Sequence, residues 1–305
     1  MDAQGHEHGI AHDADRRRLG IALALIVGFM AVEVVAGILA HSLALLSDAA
    51  HMLTDAGAIG LSLLAIMLAA RPPSGSMTFG LKRAEILSAQ ANGAILVVLA
   101  GLIVYEAIRR LVSPPDVEGW VVVAVAVAGI AVNLLATWQL AKANRENMAV
   151  EGSFQHMLTD LYAFAGTAIA GVIIVTTGYV RADPIASIAV AALMLRAAYG
   201  LLKDSGRVLL EMAPERMSAP EIGQELAAHP AVAEVHDLHV WEIGTDMPSL
   251  SAHVLVGRGI DCHGVRLELE QLLHDRFGID HTTLQVDHVR ERRLVELRKL
   301  SDNGR

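Results

Sequence analysis

Six long runs of apolar residues, at 19–40, 43–69, 85–108, 119–141, 155–178 and 184–202, fill the first two-thirds of the chain. Crossing a hydrocarbon layer roughly 30 Å thick takes about 20 helical residues, so each run predicts a membrane-spanning helix. Proline and glycine break the pattern between runs, in Arg71-Pro72-Pro73-Ser74-Gly75-Ser76, Ser113-Pro114-Pro115 and Asp183-Pro184. Beyond residue 205 the texture becomes that of a soluble domain. Ser218-Ala-Pro-Glu221 is a capping box opening a helix to about His229. Two β-rich stretches follow at 232–243 and 249–257, the second alternating Leu250, Ala252, Val254 and Val256 against Ser249, Ser251 and His253. A helix over 262–277 and a strand over 281–288 complete an α-β-β-α-β order, an α+β sheet with helices on one face. The predicted organisation is a cytoplasmic N-terminal tail (1–18), a membrane α-helical domain of six transmembrane helices (19–205), a small cytoplasmic domain (206–290) and a C-terminal tail (291–305).

Composition agrees with this division. The 305 residues are 53% hydrophobic with a mean hydropathy of +0.45, above the roughly 45–50% of soluble domains. A net charge of −9 argues against nucleic acid as a partner. The single cysteine, Cys262, excludes an internal disulfide and a Cys-rich zinc knuckle, and reads as a small buried or half-buried residue. Residues 1–18 are polar and end in Arg16-Arg17-Arg18, and the first apolar run is too long for a signal peptide, so it is expected to stay in the membrane. With the N-terminus inside, ten basic residues (Arg16, Arg17, Arg18, Arg71, Lys82, Arg83, Lys142, Arg145, Lys203 and Arg207) face the cytoplasm, against three outside (Arg109, Arg110 and Arg181). That asymmetry places both termini in the cytoplasm, with the Arg109-Arg110 pair as an exception.

The candidate chemistry lies in a repeated pentapeptide. His-Met-Leu-Thr-Asp occurs at 51–55 and again at 156–160, inside the second and fifth spans. Each copy sets a histidine and an aspartate four residues apart, one turn along one helix face. An aspartate at the bilayer centre costs about 2.5–3.5 kcal/mol on insertion scales, so such residues face the protein interior and serve a function. His51, Asp55, His156 and Asp160 together supply two imidazoles and two carboxylates, a four-ligand set for zinc that no single helix closes alone. Two aspartates also neutralise a divalent ion, and ligands that bind metal only when deprotonated couple its release to proton uptake. Asp48, one turn before His51, is a candidate hydrogen-bond acceptor for His51, a relay or an outer vestibule charge, or else an interfacial charge at the outer end of the helix. Glu33, Asn92 and Asn133 read as interhelical hydrogen-bonding groups, with Glu33 a candidate ion contact, and Arg196 as the partner of a carboxylate. The N-terminal His6, His8 and His12, with Glu7 and Asp13, read as a solvated tail able to capture metal loosely.

Taken with Gly37-Ile-Leu-Ala-His-Ser-Leu-Ala-Leu-Leu-Ser-Asp48, Phe79-Gly-Leu-Lys-Arg-Ala-Glu85, Ala182-Asp-Pro-Ile-Ala-Ser187 and His236-Asp-Leu-His-Val-Trp241, the paired motifs resemble the cation diffusion facilitator family over residues 16–290. The resemblance implies a homodimer in a bacterial inner membrane that exports zinc, and often cadmium or cobalt, in exchange for protons. It implies a transport site at His51, Asp55, His156 and Asp160, with zinc as substrate and no organic cofactor. It also implies a ferredoxin-like cytoplasmic domain that dimerises the protein and tightens on binding metal. Candidate ligands there are His236, His253, His263 and Asp287, although Gln285 stands where some relatives carry histidine. The short segment 142–152 departs from relatives that have a histidine-rich loop there. Competing readings are a haem-binding electron carrier using His51 and His156, a passive channel or metal sensor using the same ligands, and an intramembrane metalloprotease. The last lacks HExxH, and the chain is not expected to be an enzyme.

Overall fold

The computed structural model describes residues 4–39, 43–113, 119–245 and 247–289, with side chains outside the description at 4–14, 33, 36–39, 43–51, 54, 119–122, 125 and 126. Six long helices come first: α1 (Gln4–Leu39), α2 (Leu43–Ala69), α3 (Ala84–Val112), α4 (Gly119–Leu140), α5 (Met148–Thr177) and α6 (Ala182–Leu209). Among the described residues α3, α5 and α6 are long and apolar enough to cross a membrane, and Asp55–Ala69 and Val127–Leu140 form shorter apolar stretches of α2 and α4.

Two helices start earlier than hydropathy suggests, and at α5 the reason is a cap that lies outside the apolar run. The α1 helix begins at Gln4, so the N-terminal histidines sit on a helix rather than in an unstructured tail. Its Asp15 is buried and accepts from the Asn144 backbone N–H at 2.8 Å. The α5 helix begins at Met148, where the Asn147 side chain accepts from the N–H groups of Ala149 and Val150. That cap is itself held, because Asn147 Nδ2 donates to the buried Glu85 carboxylate on α3 at 2.9 Å.

The helices pack in two groups. Leu19, Ile26, Met52, Ile59, Ile66, Leu140 and Met157 join α1, α2, α4 and α5 in one core. Leu96, Ala100, Val190, Met194 and Leu201 join α3 to α6 in another. Where α4 meets α5, a Cβ built on Gly129 would lie 2.3–2.7 Å from the Phe164 ring. Gly129→Ala is therefore expected to destabilise the membrane domain by about 1–3 kcal/mol through overpacking. Thermal unfolding in detergent checks it, and an unchanged midpoint would contradict this packing.

Three polar expectations resolve differently. The Arg109-Arg110 exception is locally neutralised: both arginines reach Glu106, at 3.3 and 3.0 Å, and Arg110 also reaches Asp183 on α6 at 3.3 Å. Asn133 Nδ2 donates to Gly129 O one turn back in its own helix, not to another helix. Arg196 is exposed on α6 and makes no ion pair among the described residues, so the expected carboxylate partner is not found; it lines a cavity together with Glu151 and Asp204.

The second compact unit comprises Ala213–Trp241 and the residues from Pro248 on. It contains α7 (Ala219–Ala227), β1 (Val232–Glu242), β2 (Pro248–Val256), α8 (Cys262–Phe277) and β3 (His281–His288). Ser218 caps α7 by accepting from the Glu221 N–H, and Asp261 caps α8. The sheet runs β1-β2-β3, with β2 and β3 parallel and Ser249 opposite His281, as the helical crossover through α8 requires. Leu250, Ala252, Val254 and Val256 are all buried, packed with Ile222 and Leu226 of α7 and Leu269 and Leu273 of α8. The period-two pattern of this strand thus fixes which sheet face receives the helices.

Candidate metal centre

Each HxxxD motif lies within one continuous helix, so its two ligand positions stand one turn apart on a common face. In α5 that face turns inward: His156 is 0% exposed and Asp160 3%. In α2, Asp55 is 1% exposed and faces α5. His156 Nε2 lies 3.0 Å from Asp55 Oδ1 and 3.8 Å from Asp160 Oδ2. One ligand atom from each of the three residues lies within 4.8 Å of the others, the one such grouping among the described residues.

These distances suit a small cation. Four ligands about 2.0–2.2 Å from zinc in a tetrahedron stand about 3.3–3.6 Å from one another, a spacing bracketed by the two measured separations. Asp55 Oδ2 and His156 Nδ1 are buried without hydrogen-bond partners. Two carboxylates and an imidazole packed among Met52, Ile59 and Met157 are electrostatically expensive without a cation or protons. His51 occupies α2 one turn before Asp55, and Asp48 one turn before that; both side chains lie outside the described residues, as does that of Glu33.

Asn92, expected from the sequence to hydrogen-bond between helices, does so within a polar seam beside this site whose other members the sequence reading did not single out. Glu85, Ser88 and Asn92 fall at i, i+3 and i+7 on α3, a stripe visible in an otherwise apolar helix, and all three are buried. Ser88 and Asn92 meet Ser62 of α2, and Glu85 meets Asn147.

In the second unit the candidate ligands are dispersed. The His236 and His253 rings approach edge-on with centroids 5.4 Å apart. Asp237 lies 3.0 Å from His239 Nε2 and 3.9 Å from His253 Nε2. The Asp287 carboxylate accepts from Gln285 Nε2 at 2.8 Å, and Gln285 pairs with His253 across the sheet. His263 is the second residue of α8, its N–H held by Asp261. Of the four, His236 and His253 are neighbours, and no three converge as the membrane residues do.

Residues 19–210 match the model of the cation efflux transmembrane domain, and residues 214–289 that of the cation efflux protein cytoplasmic domain. The zinc transporter ZitB of Escherichia coli is 42% identical over 94% of this chain and 93% of its own length. The cadmium, cobalt and zinc/H(+)-K(+) antiporter of Bacillus subtilis is 35% identical over 93% of this chain and 92% of its own. The metal cation efflux system protein CzcD of Cupriavidus metallidurans is 38% identical over 92% of this chain and 90% of its own.

Proposed function

The chain belongs to the cation efflux family, and from that premise we propose that it exports zinc from the cytoplasm in exchange for protons. As a transporter it is not an enzyme. The observation that carries the reading is the meeting of Asp55 with His156 and Asp160 inside the membrane domain, at a spacing fit for zinc. His51, one turn from Asp55, completes the four ligands, and Asp48 extends the same α2 face. Relatives named for zinc, and for cadmium, cobalt and zinc, support zinc as the main substrate with cadmium or cobalt beside it. The name of the Bacillus relative, an antiporter, supports exchange. The excess of Lys and Arg on one set of loops supports both termini lying in the cytoplasm, and the bacterial relatives support a bacterial inner membrane. A haem reading would set His156 against a porphyrin iron; carboxylates at 3.0 and 3.8 Å support a cation there instead. The test is zinc flux into proteoliposomes with and without a pH gradient. Flux that neither moves protons nor responds to the gradient refutes the exchange.

The cytoplasmic unit, on this reading, dimerises the protein and carries a regulatory metal site on the exposed sheet face of His236, His253 and Asp287, with His263 as a further ligand. Because these residues do not converge within one chain, binding there needs local rearrangement or a second copy. With Asp55→Ala in place to disable the membrane site, adding His253→Ala is expected to weaken the remaining zinc binding at least about tenfold. Equilibrium dialysis of the full chain measures this, and equal binding by both variants removes the cytoplasmic site.

A further inference from the structure

The α2–α3–α5 junction buries polar side chains that metal coordination does not use. Ser62 and Asn92 are 0% exposed and Ser88 is 2% exposed. Ser62 Oγ and Ser88 Oγ are 3.2 Å apart, and Asn92 Nδ2 donates to Ser62 Oγ at 3.3 Å. Asn92 Oδ1 is buried with no partner. Leucine would avoid that unmatched amide oxygen, so the position holds asparagine at a free-energy disadvantage.

Asn92 also presses on Gly152 of α5. A Cβ there would lie 3.2 Å from Asn92 Nδ2, 3.6 Å from Asn92 Cβ and 3.4 Å from Ala89 Cα. Gly152 lies within a regular helix, where glycine is less favourable than alanine, so its use here is its size. It lets α3 and α5 touch with no side chain between them. Gly152 stands one turn before His156 and two before Asp160, and Ser62 stands two turns past Asp55. Asn92 is thus hydrogen-bonded to α2 and packs closely against α5 at Gly152, the two helices that carry the metal-ligand positions.

We propose that Asn92 and Gly152 are positioning residues that set the α2–α5 separation at the transport site and so favour zinc over a larger divalent ion such as cadmium. The inference rests on the transport reading above. Close-packed interiors transmit small displacements rather than absorbing them. A few tenths of an ångström at Gly152 is also a large part of the spread between zinc's ligand spacing and that of a larger ion.

The test compares initial zinc and cadmium transport in proteoliposomes for the full chain, Gly152→Ala, Asn92→Ala and the double variant. Gly152→Ala is expected to raise the zinc KM about tenfold while the cadmium KM moves less than about twofold, a difference near 1 kcal/mol. Adding Asn92→Ala makes room for the new methyl group and is expected to restore most of the ratio. Asn92→Ala alone only removes atoms, so it carries the test should Gly152→Ala not be recovered; it is expected to lower the zinc-over-cadmium ratio. Equal losses for both ions, or ratios unmoved in both single variants, overturn the positioning role while leaving zinc transport standing. A wild-type chain that carries neither ion overturns the transport reading and this inference with it.

Discussion

Asp55→Ala is expected to abolish zinc transport, lowering the initial rate by at least about a hundredfold, and Asp160→Ala should do the same. Asp55 is the α2 carboxylate that meets the α5 pair, with its Oδ1 3.0 Å from His156 Nε2. Truncation removes a ligand and one of the two negative charges that balance a divalent ion in a dry interior. Loss of a group that merely orients a ligand already lowers metal affinity about 10–100-fold, so loss of a ligand sits at or beyond that limit. Asp55→Asn separates charge from shape: it keeps the volume and a hydrogen bond to His156 but removes the charge, and it should be nearly as defective. Rates are read in proteoliposomes against the amount of assembled protein. Zinc flux in Asp55→Ala within threefold of wild type would show that the ion passes elsewhere.

The apolar runs revealed the helices, because a membrane span must be both long and continuous. They do not reach the starts of α1 and α5; at α5 the helix begins where Asn147, outside the apolar run, satisfies its first N–H groups. The strand pattern at Leu250, Ala252, Val254 and Val256 was sufficient to predict the buried face of β2. For the site, the duplicated pentapeptide pointed to four positions, but only geometry brings Asp55 of α2 against His156 and Asp160 of α5. The seam through Ser62, Ser88 and Asn92 was harder to see, since polar groups in spans look alike until their partners are known. Asn92 turned out to join helices, whereas Asn133 bonds within its own turn. The cytoplasmic sheet shows the reverse limit, because the family resemblance suggested four ligands, His236, His253, His263 and Asp287, that do not converge within one chain.

Zinc binding at the membrane site is expected to weaken steeply with acid. His156 Nε2 and Asp55 Oδ1 stand at hydrogen-bond distance, and a hydrogen bond there needs a proton between nitrogen and oxygen. A neutral imidazole can pass its proton to Nδ1 when Nε2 takes zinc, so net proton release comes from the imidazolium or protonated-carboxyl forms of this pair, which zinc coordination excludes. The sign follows directly: acid fills the proton-bound form and lowers apparent zinc affinity, whereas alkali frees the ligands and raises it. By linkage, each proton displaced per zinc contributes about tenfold in affinity per pH unit below the ligands' own titration. Displacement of one or two protons therefore predicts a fall of about one to two orders of magnitude per pH unit there. Zinc binding to His253→Ala protein, measured at a series of pH values, keeps the cytoplasmic histidines from dominating the signal. Asp55→Asn cannot hold a carboxyl proton, so its residual binding should show a shallower slope. An affinity that stays flat as the pH falls would sever proton uptake from metal release, and the pH gradient would then have no means of driving zinc through this site.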